Sequence, residues 1–171
     1  MFGRTQNGFA LIELLVALAI IGIISGGISM AISQMFTVNA STSNRETAIK
    51  QVENAIHYMS RDAVMAQSVT TNVDNFPLNL TWTNWDNSVH AVSYSVLGGG
   101  IFQRSETITI NGVPGAPVIT RVASNVNTGS GMTGCSWAGG VLSVKITTTV
   151  GTFRPASETR EFRVSARSSS E

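Results

Sequence analysis

A single acidic side chain, Glu13, lies inside an otherwise apolar segment near the N-terminus. It is the only ionisable side chain between Phe9 and Phe36. A charged side chain at the centre of a membrane helix costs about 2.5–3.5 kcal/mol, and less near the helix ends. A residue placed at such a cost is normally retained for a partner, so Glu13 is a candidate for pairing with a positive charge.

The other residues that could support catalysis or metal binding are few and scattered. His57 and His90 are the only histidines and lie far apart, which favours structural roles. Asp74 and Asp86 could contribute to a calcium loop, but their surroundings lack the spacing for six or more oxygen ligands, and turns use the same residues. The sequence contains no Gly-x-Ser-x-Gly, P-loop or His-Glu-x-x-His motif. We predict no enzymatic activity, no cofactor and no metal site.

Cysteine and tryptophan give little further indication of chemistry. Cys135 is the only cysteine, so an intrachain disulfide is impossible, and we expect a small buried side chain in a glycine-rich loop rather than pairing between chains. Trp82, Trp85 and Trp137 could form an exposed adhesive surface. Packing in the core or at a sheet edge is the default expectation for all three.

The composition fits one domain with an extended N-terminal element. The chain has 171 residues, of which only 12% are charged, and ordinary soluble domains have about 25%. The low value is caused locally by the apolar N-terminal segment. A net charge of +1 without clustered Lys or Arg gives no reason to expect direct nucleic-acid binding.

The run from Leu14 to Ile32 contains 19 apolar or small residues, about the length needed to cross a bilayer as a helix. A cleaved secretory signal would have a shorter apolar core, followed by a small-x-small site. A simple membrane anchor fits the length. It leaves unexplained both the polar leader MFGRTQNG and the acid five residues beyond Gly8.

The segment GFALIE, from Gly8 to Glu13, followed by LLVALAIIGII, resembles the class III signal of type IV pilins and pseudopilins. The resemblance implies that a prepilin peptidase cuts after Gly8 on the cytoplasmic side and N-methylates Phe9. It also implies that Glu13 is the assembly acid. The expected partners are therefore prepilin peptidase, other pilin or pseudopilin subunits, an inner-membrane assembly platform and the lipid bilayer.

The chemistry of such a processed end is consistent with these roles. Glycine lets a protease approach the backbone closely, and cleavage would expose a cationic α-amine at Phe9. In an array of parallel subunits, the Glu13 carboxylate of one chain can meet the Phe9 amine of a neighbour, which neutralises two charges in lipid. Gly22 and Gly26 would permit close helix approach. Arg4 in the leader weakly favours a cytoplasmic N-terminus.

The periodicity predicts an α+β fold. A long helix from about Phe9 to about Gln67 packs an apolar stripe against a C-terminal antiparallel sheet. The predicted stripe comprises Ile49, Val52, Ile56, Met59, Ala63 and Ala66. The strand candidates are 80–83, 92–96, a return strand from Ile101, 106–111, 118–126, 142–150 and 162–166, with loops at 112–117 and 127–140.

Two further segments resemble minor pilin-like subunits. VSYSVLGGGIFQRSE is similar to the sheet of J-type minor pseudopilins, in which a Tyr-containing strand, a glycine turn and an Arg-containing strand recur. HYMSRDAVMAQS resembles the helix end of several minor pilins and pseudopilins. The absence of proline before Pro77 also departs from many major pilins. These features favour a minor subunit that initiates or caps assembly.

These observations lead to one leading interpretation. Residues 1–8 are a leader, 9–36 a transmembrane and filament-core helix, 37–67 its amphipathic continuation, and 68–171 a β-rich head. The protein is expected to be a single-pass membrane precursor with a cytoplasmic leader and an external head. It then becomes a subunit of a type IV pilus or type II secretion pseudopilus. The alternative is a membrane-anchored adhesin or ligand-binding domain that never polymerises.

Overall fold

A computed structural model describes residues 11–72 and 75–165, and it has the predicted α+β architecture. The chain divides into two compact units between Ala40 and Ser41. The elements are α1 (Leu11–Met65), β1 (Ser68–Asn72), β2 (Asn75–Thr83), β3 (Val89–Leu97), β4 (Ile101–Ile110), β5 (Val113–Pro114), β6 (Val118–Ala123), β7 (Gly134–Ala138), β8 (Val141–Val150) and β9 (Ala156–Ser165).

In the first unit, residues 11–40 are helical and belong to α1. Their apolar side chains are exposed, with Leu11 at 77% and Ile24 at 55% of full accessibility. By length and composition, this helix could cross a membrane. An exposed surface this apolar needs a non-aqueous environment, because water would not solvate it favourably.

In the second unit, the helix buries one stripe against the sheets. The buried residues are Ala48, Val52, Ala55, Met59, Asp62 and Ala63. This stripe differs from the predicted one, because Ile49 and Ile56 are only half-buried. Alanine at the positions of closest approach lets the helix backbone lie near the sheet, and the larger isoleucines flank the contact.

The strands form two antiparallel sheets instead of the single predicted sheet. The larger sheet has the order β1-β2-β3-β4-β5, with β6 also paired to β4, and the smaller has the order β7-β8-β9. One hydrophobic core joins the helix to both sheets. It includes Val52 and Met59 from the helix, Leu80 and Phe102 from the larger sheet, and Ile146 from the smaller.

Several strand boundaries also differ from the predictions. The segment 127–140 is not a continuous loop, because it contains β7, where Cys135 is buried. Strand β1 was not predicted, and β4 merges two predicted candidates into one strand. Strand β7 was missed because glycine and serine residues on both sides of Cys-Ser-Trp-Ala obscured the short alternation of this segment. The helix ends at Met65, two residues before the predicted boundary.

Polar side chains of the helix complete the edge of the larger sheet. Asn54 donates to the Val122 carbonyl over 2.5 Å, and Gln51 accepts from the Ser124 amide over 2.6 Å. On the other sheet, Thr148 donates its hydroxyl to the Ala48 carbonyl over 2.9 Å. The first two bonds occupy backbone groups at the edge of the larger sheet, and all three fix the helix to the sheets.

Candidate functional site

The predicted assembly acid, Glu13, lies in the first turn of the helix as described, whereas Gly8 and Phe9 lie outside the described residues. The Glu13 side chain is exposed, and its neighbours Ile12 and Leu14 are 67% and 60% exposed. No ion pair joins Glu13 to another residue that the structure describes. Its carboxylate is therefore accessible to a group from another molecule.

Two hydroxyl side chains within the apolar half of the helix are hydrogen-bonded to the helix itself. Ser29 donates its hydroxyl to the Ser25 carbonyl over 2.9 Å, and Thr37 donates to the Ser33 carbonyl over 2.8 Å. These bonds lower the cost of placing hydroxyls in lipid. Around Gly22 and Gly26, no atom outside the adjoining helix backbone lies within 4 Å of where a Cβ would stand.

A second group of polar residues lies buried where the helix meets the larger sheet. The Asp62 carboxylate, on the helix, accepts a hydrogen bond of 2.6 Å from Arg104 Nε and one of 2.7 Å from the Tyr94 hydroxyl. All three residues are at most 5% exposed. A buried charge is tolerated only when it is paired and hydrogen-bonded, and here both conditions are met.

The network continues along the sheet towards its surface. Arg104 Nη1 donates to the Glu106 carboxylate over 2.8 Å, and the other Glu106 oxygen lies 2.9 Å from His90 Nδ1. On its opposite side, His90 Nε2 lies 2.8 Å from the Asn84 amide nitrogen. Trp82 stacks on the His90 ring with centroids 5.0 Å apart. We refer to Asp62, Tyr94, Arg104, Glu106 and His90 as the buried network.

The electrostatics of the buried network are strongly coupled. Burial raises the pKa of Tyr94, and the adjacent Asp62 carboxylate raises it further. Burial acts to lower the pKa of Arg104, but hydrogen bonds to Asp62 and Glu106 outweigh it and raise the pKa. Burial acts to raise the pKa of Glu106, whereas hydrogen bonds from Arg104 and His90 produce a net lowering. The ionised carboxylate and guanidinium therefore stabilise each other.

The hairpin between β3 and β4 explains how these residues meet. Tyr94 is paired with Arg104 across the two strands, so both side chains point to the same face. The turn after Leu97 sets this register, and Gly100 takes a φ of 72°. Asp62 follows Met59 by three residues, which places it on the buried stripe of the helix.

The sequence predictions did not bring the buried network together. Asp62, Tyr94 and Arg104 all lie in the two segments that resemble minor pilin-like subunits. Asp62 was missed because the predicted helix stripe included only apolar residues. The available signal was one acid at helical spacing from Met59 and one arginine on the inward face of a predicted strand.

The remaining candidate residues have ordinary surroundings. His57 is exposed and its ring lies edge-on to Tyr58, with centroids 6.1 Å apart. Asp86 accepts a 2.6 Å hydrogen bond from the Ser88 hydroxyl, and hydrogen bonds from Ser88 lower the pKa of Asp86. Asp74 lies outside the described residues. Within residues 11–72 and 75–165, no group of three or more His, Cys, Asp or Glu could hold a metal ion.

The tryptophans divide into two classes. Trp82 is 5% exposed, and Trp137 is partly buried against the core, so the prediction of packing is right for these two. It is wrong for Trp85, which is 97% exposed at the turn between β2 and β3. A hydrophobic pattern cannot distinguish a tryptophan in a strand from one in the following turn, three residues later.

Comparison with known proteins places the N-terminal segment in a family. Residues 3–29 match the family model of the prokaryotic N-terminal methylation motif. No curated protein and no solved structure matched the chain. The matched segment contains Gly8, Phe9 and Glu13, and in this fold one long N-terminal helix is packed against antiparallel sheet. The motif and the fold together support a type IV pilin-like protein, a structural subunit, and they fit a membrane-anchored precursor that is later incorporated into a filament.

Proposed function

We propose that this protein is a subunit of a type IV pilus or a type II secretion pseudopilus, processed after Gly8 and N-methylated at Phe9 by prepilin peptidase. The observation that carries this proposal is the methylation motif at residues 3–29, which overlaps an apolar helical segment whose side chains are exposed. In the precursor, residues 1–8 form a cytoplasmic leader, 9–36 span the membrane, 37–67 continue the helix and 68–171 form the external head.

Assembly then uses the helix twice, first as a lipid anchor and then as the filament core. The assembly platform of the inner membrane would extract the processed subunit, and the apolar side chains would pack against those of its neighbours. The exposed Glu13 carboxylate would pair with the Phe9 amine of an adjacent subunit. The pair would neutralise both charges near the end of the membrane helix, where an isolated charge costs less than the about 2.5–3.5 kcal/mol that it costs at the centre.

We assign the protein to the minor subunits that initiate or cap a filament. Support comes from the hairpin similar to J-type minor pseudopilins, whose Tyr94 and Arg104 both bind Asp62 of the helix. The residues that this segment shares with J-type minor pseudopilins include Tyr94 and Arg104, which fix the helix to the sheet. The similarity therefore concerns the packing of the head and not only its composition.

The first step is tested by mass spectrometry of the mature protein from its native membrane. The expected N-terminus is methylated Phe9, with loss of the eight leader residues. An unprocessed chain, or a terminus elsewhere, would contradict the proposal. A chain that is processed but never recovered from sheared filaments would favour the membrane-anchored adhesin or ligand-binding domain.

The role of Glu13 is tested by Glu13→Ala, with Glu53→Ala as a matched control on the exposed face of the same helix. We expect Glu13→Ala to leave cleavage intact and to lower incorporation into filaments by about tenfold or more, because a Phe9 amine would then remain unpaired in lipid. Cleavage is read by mass and incorporation by immunoblotting of sheared filaments. Normal incorporation of Glu13→Ala would remove Glu13 from the assembly mechanism.

A further inference from the structure

A groove lies in the second unit where the helix ends. Its volume is about 550 Å³, which is within the range of small-molecule sites. The last two residues of the helix, the last two of β2 and the first two of the following turn form its lining: Val64, Met65, Trp82, Thr83, Asn84 and Trp85. We call these six residues the helix-end groove. They combine aliphatic, aromatic and polar side chains in one place, as ligand sites do.

The indole N–H of Trp82 is a hydrogen-bond donor without an acceptor. Trp82 is 5% exposed, and its Nε1 atom is buried with no hydrogen-bond partner among the residues that the structure describes. An unpaired buried donor costs about 1–3 kcal/mol, and an indole N–H can only donate. A ligand acceptor at this atom would remove that cost. Met65 is unbranched and 43% exposed, so its side chain can move to admit the ligand.

Trp85 supplies an accessible aromatic face beside this donor. It is 97% exposed in the turn between β2 and β3. The Asn84 amide donates to the Ser88 carbonyl over 2.9 Å, and the Asn87 amide donates to the Asn84 carbonyl over 3.1 Å. Because these bonds fix the backbone of the turn, a ligand that stacks on Trp85 restricts only the side chain, and little conformational entropy is lost.

Asp86 places a negative charge next to the groove. Its Oδ1 accepts from the Ser88 amide over 3.0 Å and from the Ser88 hydroxyl over 2.6 Å, and these bonds lower the pKa of Asp86. The carboxylate is therefore ionised at neutral pH, and the residue is exposed and adjoins Trp85. An ionised carboxylate accepts hydrogen bonds from ligand hydroxyls and repels a ligand anion. The groove thus favours a neutral ligand with hydroxyl groups.

Sugars with an acetamido group have the chemistry that these residues require. A pyranose ring has a face of C–H groups that packs on an exposed indole, and a rim of hydroxyls that bond to carboxylates and carboxamides such as Asp86 and Asn84. The acetamido carbonyl is an acceptor for Trp82 Nε1, and its methyl group is apolar, as are Val64 and Met65. A purely apolar ligand would leave the indole N–H unpaired.

We propose that the helix-end groove binds a neutral oligosaccharide of N-acetylated amino sugars, with a sugar ring on Trp85 and an acetamido carbonyl on Trp82 Nε1. This binding activity goes beyond the proposed function, because it requires neither processing nor assembly of the chain. The ligand is recognised by its ring face, its hydroxyls and its acetamido group together, so a sugar that lacks the acetamido group should bind more weakly.

The test is isothermal titration calorimetry of the full-length chain in a detergent without a sugar headgroup, with triacetylchitotriose as the ligand. Trp85→Ala should weaken binding by about tenfold, as for the loss of a central aromatic anchor. The matched control is Phe153→Ala, which removes an aromatic residue 66% exposed in the turn between β8 and β9 and should leave Kd unchanged. Cellotriose has the same linkage without acetamido groups and should bind about tenfold more weakly.

The hydrogen bond to Trp82 has a separate readout. In nuclear magnetic resonance spectra, the indole N–H signal that disappears in Trp82→Phe is the signal of Trp82. It should move to higher frequency when triacetylchitotriose is added, because the N–H gains an acceptor. Trp82→Phe keeps an aromatic ring but lacks the donor, so it should bind triacetylchitotriose about threefold to tenfold more weakly and cellotriose with unchanged affinity.

Three results would overturn the inference: no binding of triacetylchitotriose to the parent chain, equal losses in Trp85→Ala and Phe153→Ala, or equal affinity for the two trisaccharides. A disaccharide that contains N-acetylmuramic acid carries a carboxylate, and tighter binding of it would overturn the preference for a neutral ligand. Mass spectrometry of the mature chain separates the two proposals. Methylated Phe9 without sugar binding would reject only this site, whereas sugar binding by a chain that is never processed would reject only the proposed function.

Discussion

At the scale of single residues, the buried network determines how the helix is oriented on the sheet. Burying charged groups is expensive, so a buried ion pair contributes little net stability compared with an apolar contact of the same size. We expect its main contribution to be specificity, because Asp62 accepts hydrogen bonds from both Arg104 and Tyr94 in this placement of the helix. A helix rotated or shifted by one residue would leave the Arg104 guanidinium buried without that partner.

Removal of one partner should therefore be costly. We expect Asp62→Ala to lower the free energy of unfolding of the head by about 3–5 kcal/mol, because it leaves Arg104 charged, buried and incompletely paired. The measurement is urea unfolding of the full chain in detergent, followed by tryptophan fluorescence. Glu53→Ala, an exposed change on the same helix, should shift the midpoint little. Equal effects of the two substitutions would show that Asp62 carries no special energetic role.

Glu106 should make the stability of the head depend on pH. Its pKa lies below the ordinary value of 4.5 in the folded state, so ionised Glu106 stabilises the fold above about that pH. This contribution is lost as the pH falls through the folded pKa. Glu106→Gln should therefore be less stable than the parent at pH 7, and the difference should narrow below pH 4.5. Urea midpoints measured from pH 7 to pH 3 check this, and a difference independent of pH would contradict it.

At the scale of elements, the turn between β3 and β4 sets the register that aligns Tyr94 with Arg104. Gly99 and Gly100 both take left-handed conformations, with φ of 77° and 72°. Only Gly100 is closely packed, since a Cβ there would stand 2.6 Å from the Val126 carbonyl oxygen. The Gly100 carbonyl also accepts the Val126 amide over 2.9 Å, which connects this turn to the chain leading into the second sheet.

The two glycines provide a matched pair of substitutions. Gly99→Ala should cost about 1–2 kcal/mol, which is the penalty for a side chain in the left-handed region. Gly100→Ala has the same penalty and also displaces backbone at Val126. Its free energy of unfolding should therefore fall by about 1 kcal/mol more than that of Gly99→Ala. Urea unfolding of both variants measures the difference. Equal losses would mean that the Val126 segment moves aside without cost.

At the scale of the whole molecule, the chain combines two units with opposite solvent requirements. Residues 11–40 expose their apolar side chains, whereas the second unit buries its own around Met59, Tyr94 and Phe102. In the proposed function, the first unit would supply the membrane and filament contacts, and the second would supply the folded head.

This division predicts different outcomes for the same change in the two units. Ile24→Arg should impair membrane insertion, because arginine near the centre of a membrane helix costs about 2.5–3.5 kcal/mol. Ile119→Arg, at a position 62% exposed in the head, should insert normally and fold. Carbonate extraction followed by immunoblotting of the membrane pellet measures both. Full retention of Ile24→Arg in the pellet would show that residues around Ile24 lie away from the lipid core.

Much of this protein could be predicted from sequence because the relevant signals are local. The apolar run, the acid at Glu13 and the glycine at Gly8 lie within one short segment, and the period-two alternation of β3 and β8 reports an exposed and a buried face directly. Local periodicity was sufficient for the α+β class and for the long helix, which needs no distant contact to be recognised.

Tertiary structure decided the features that depend on contacts between distant residues. Asp62 and Arg104 are 42 positions apart, and only the packing of the helix on the β3–β4 hairpin brings them to 2.6 Å. The division into two sheets, the inclusion of Cys135 in a strand and the exposure of Trp85 likewise depend on which surfaces other elements cover. A charge on an apolar stripe looks like an interruption in the sequence, and its partner becomes visible only when the chain has folded.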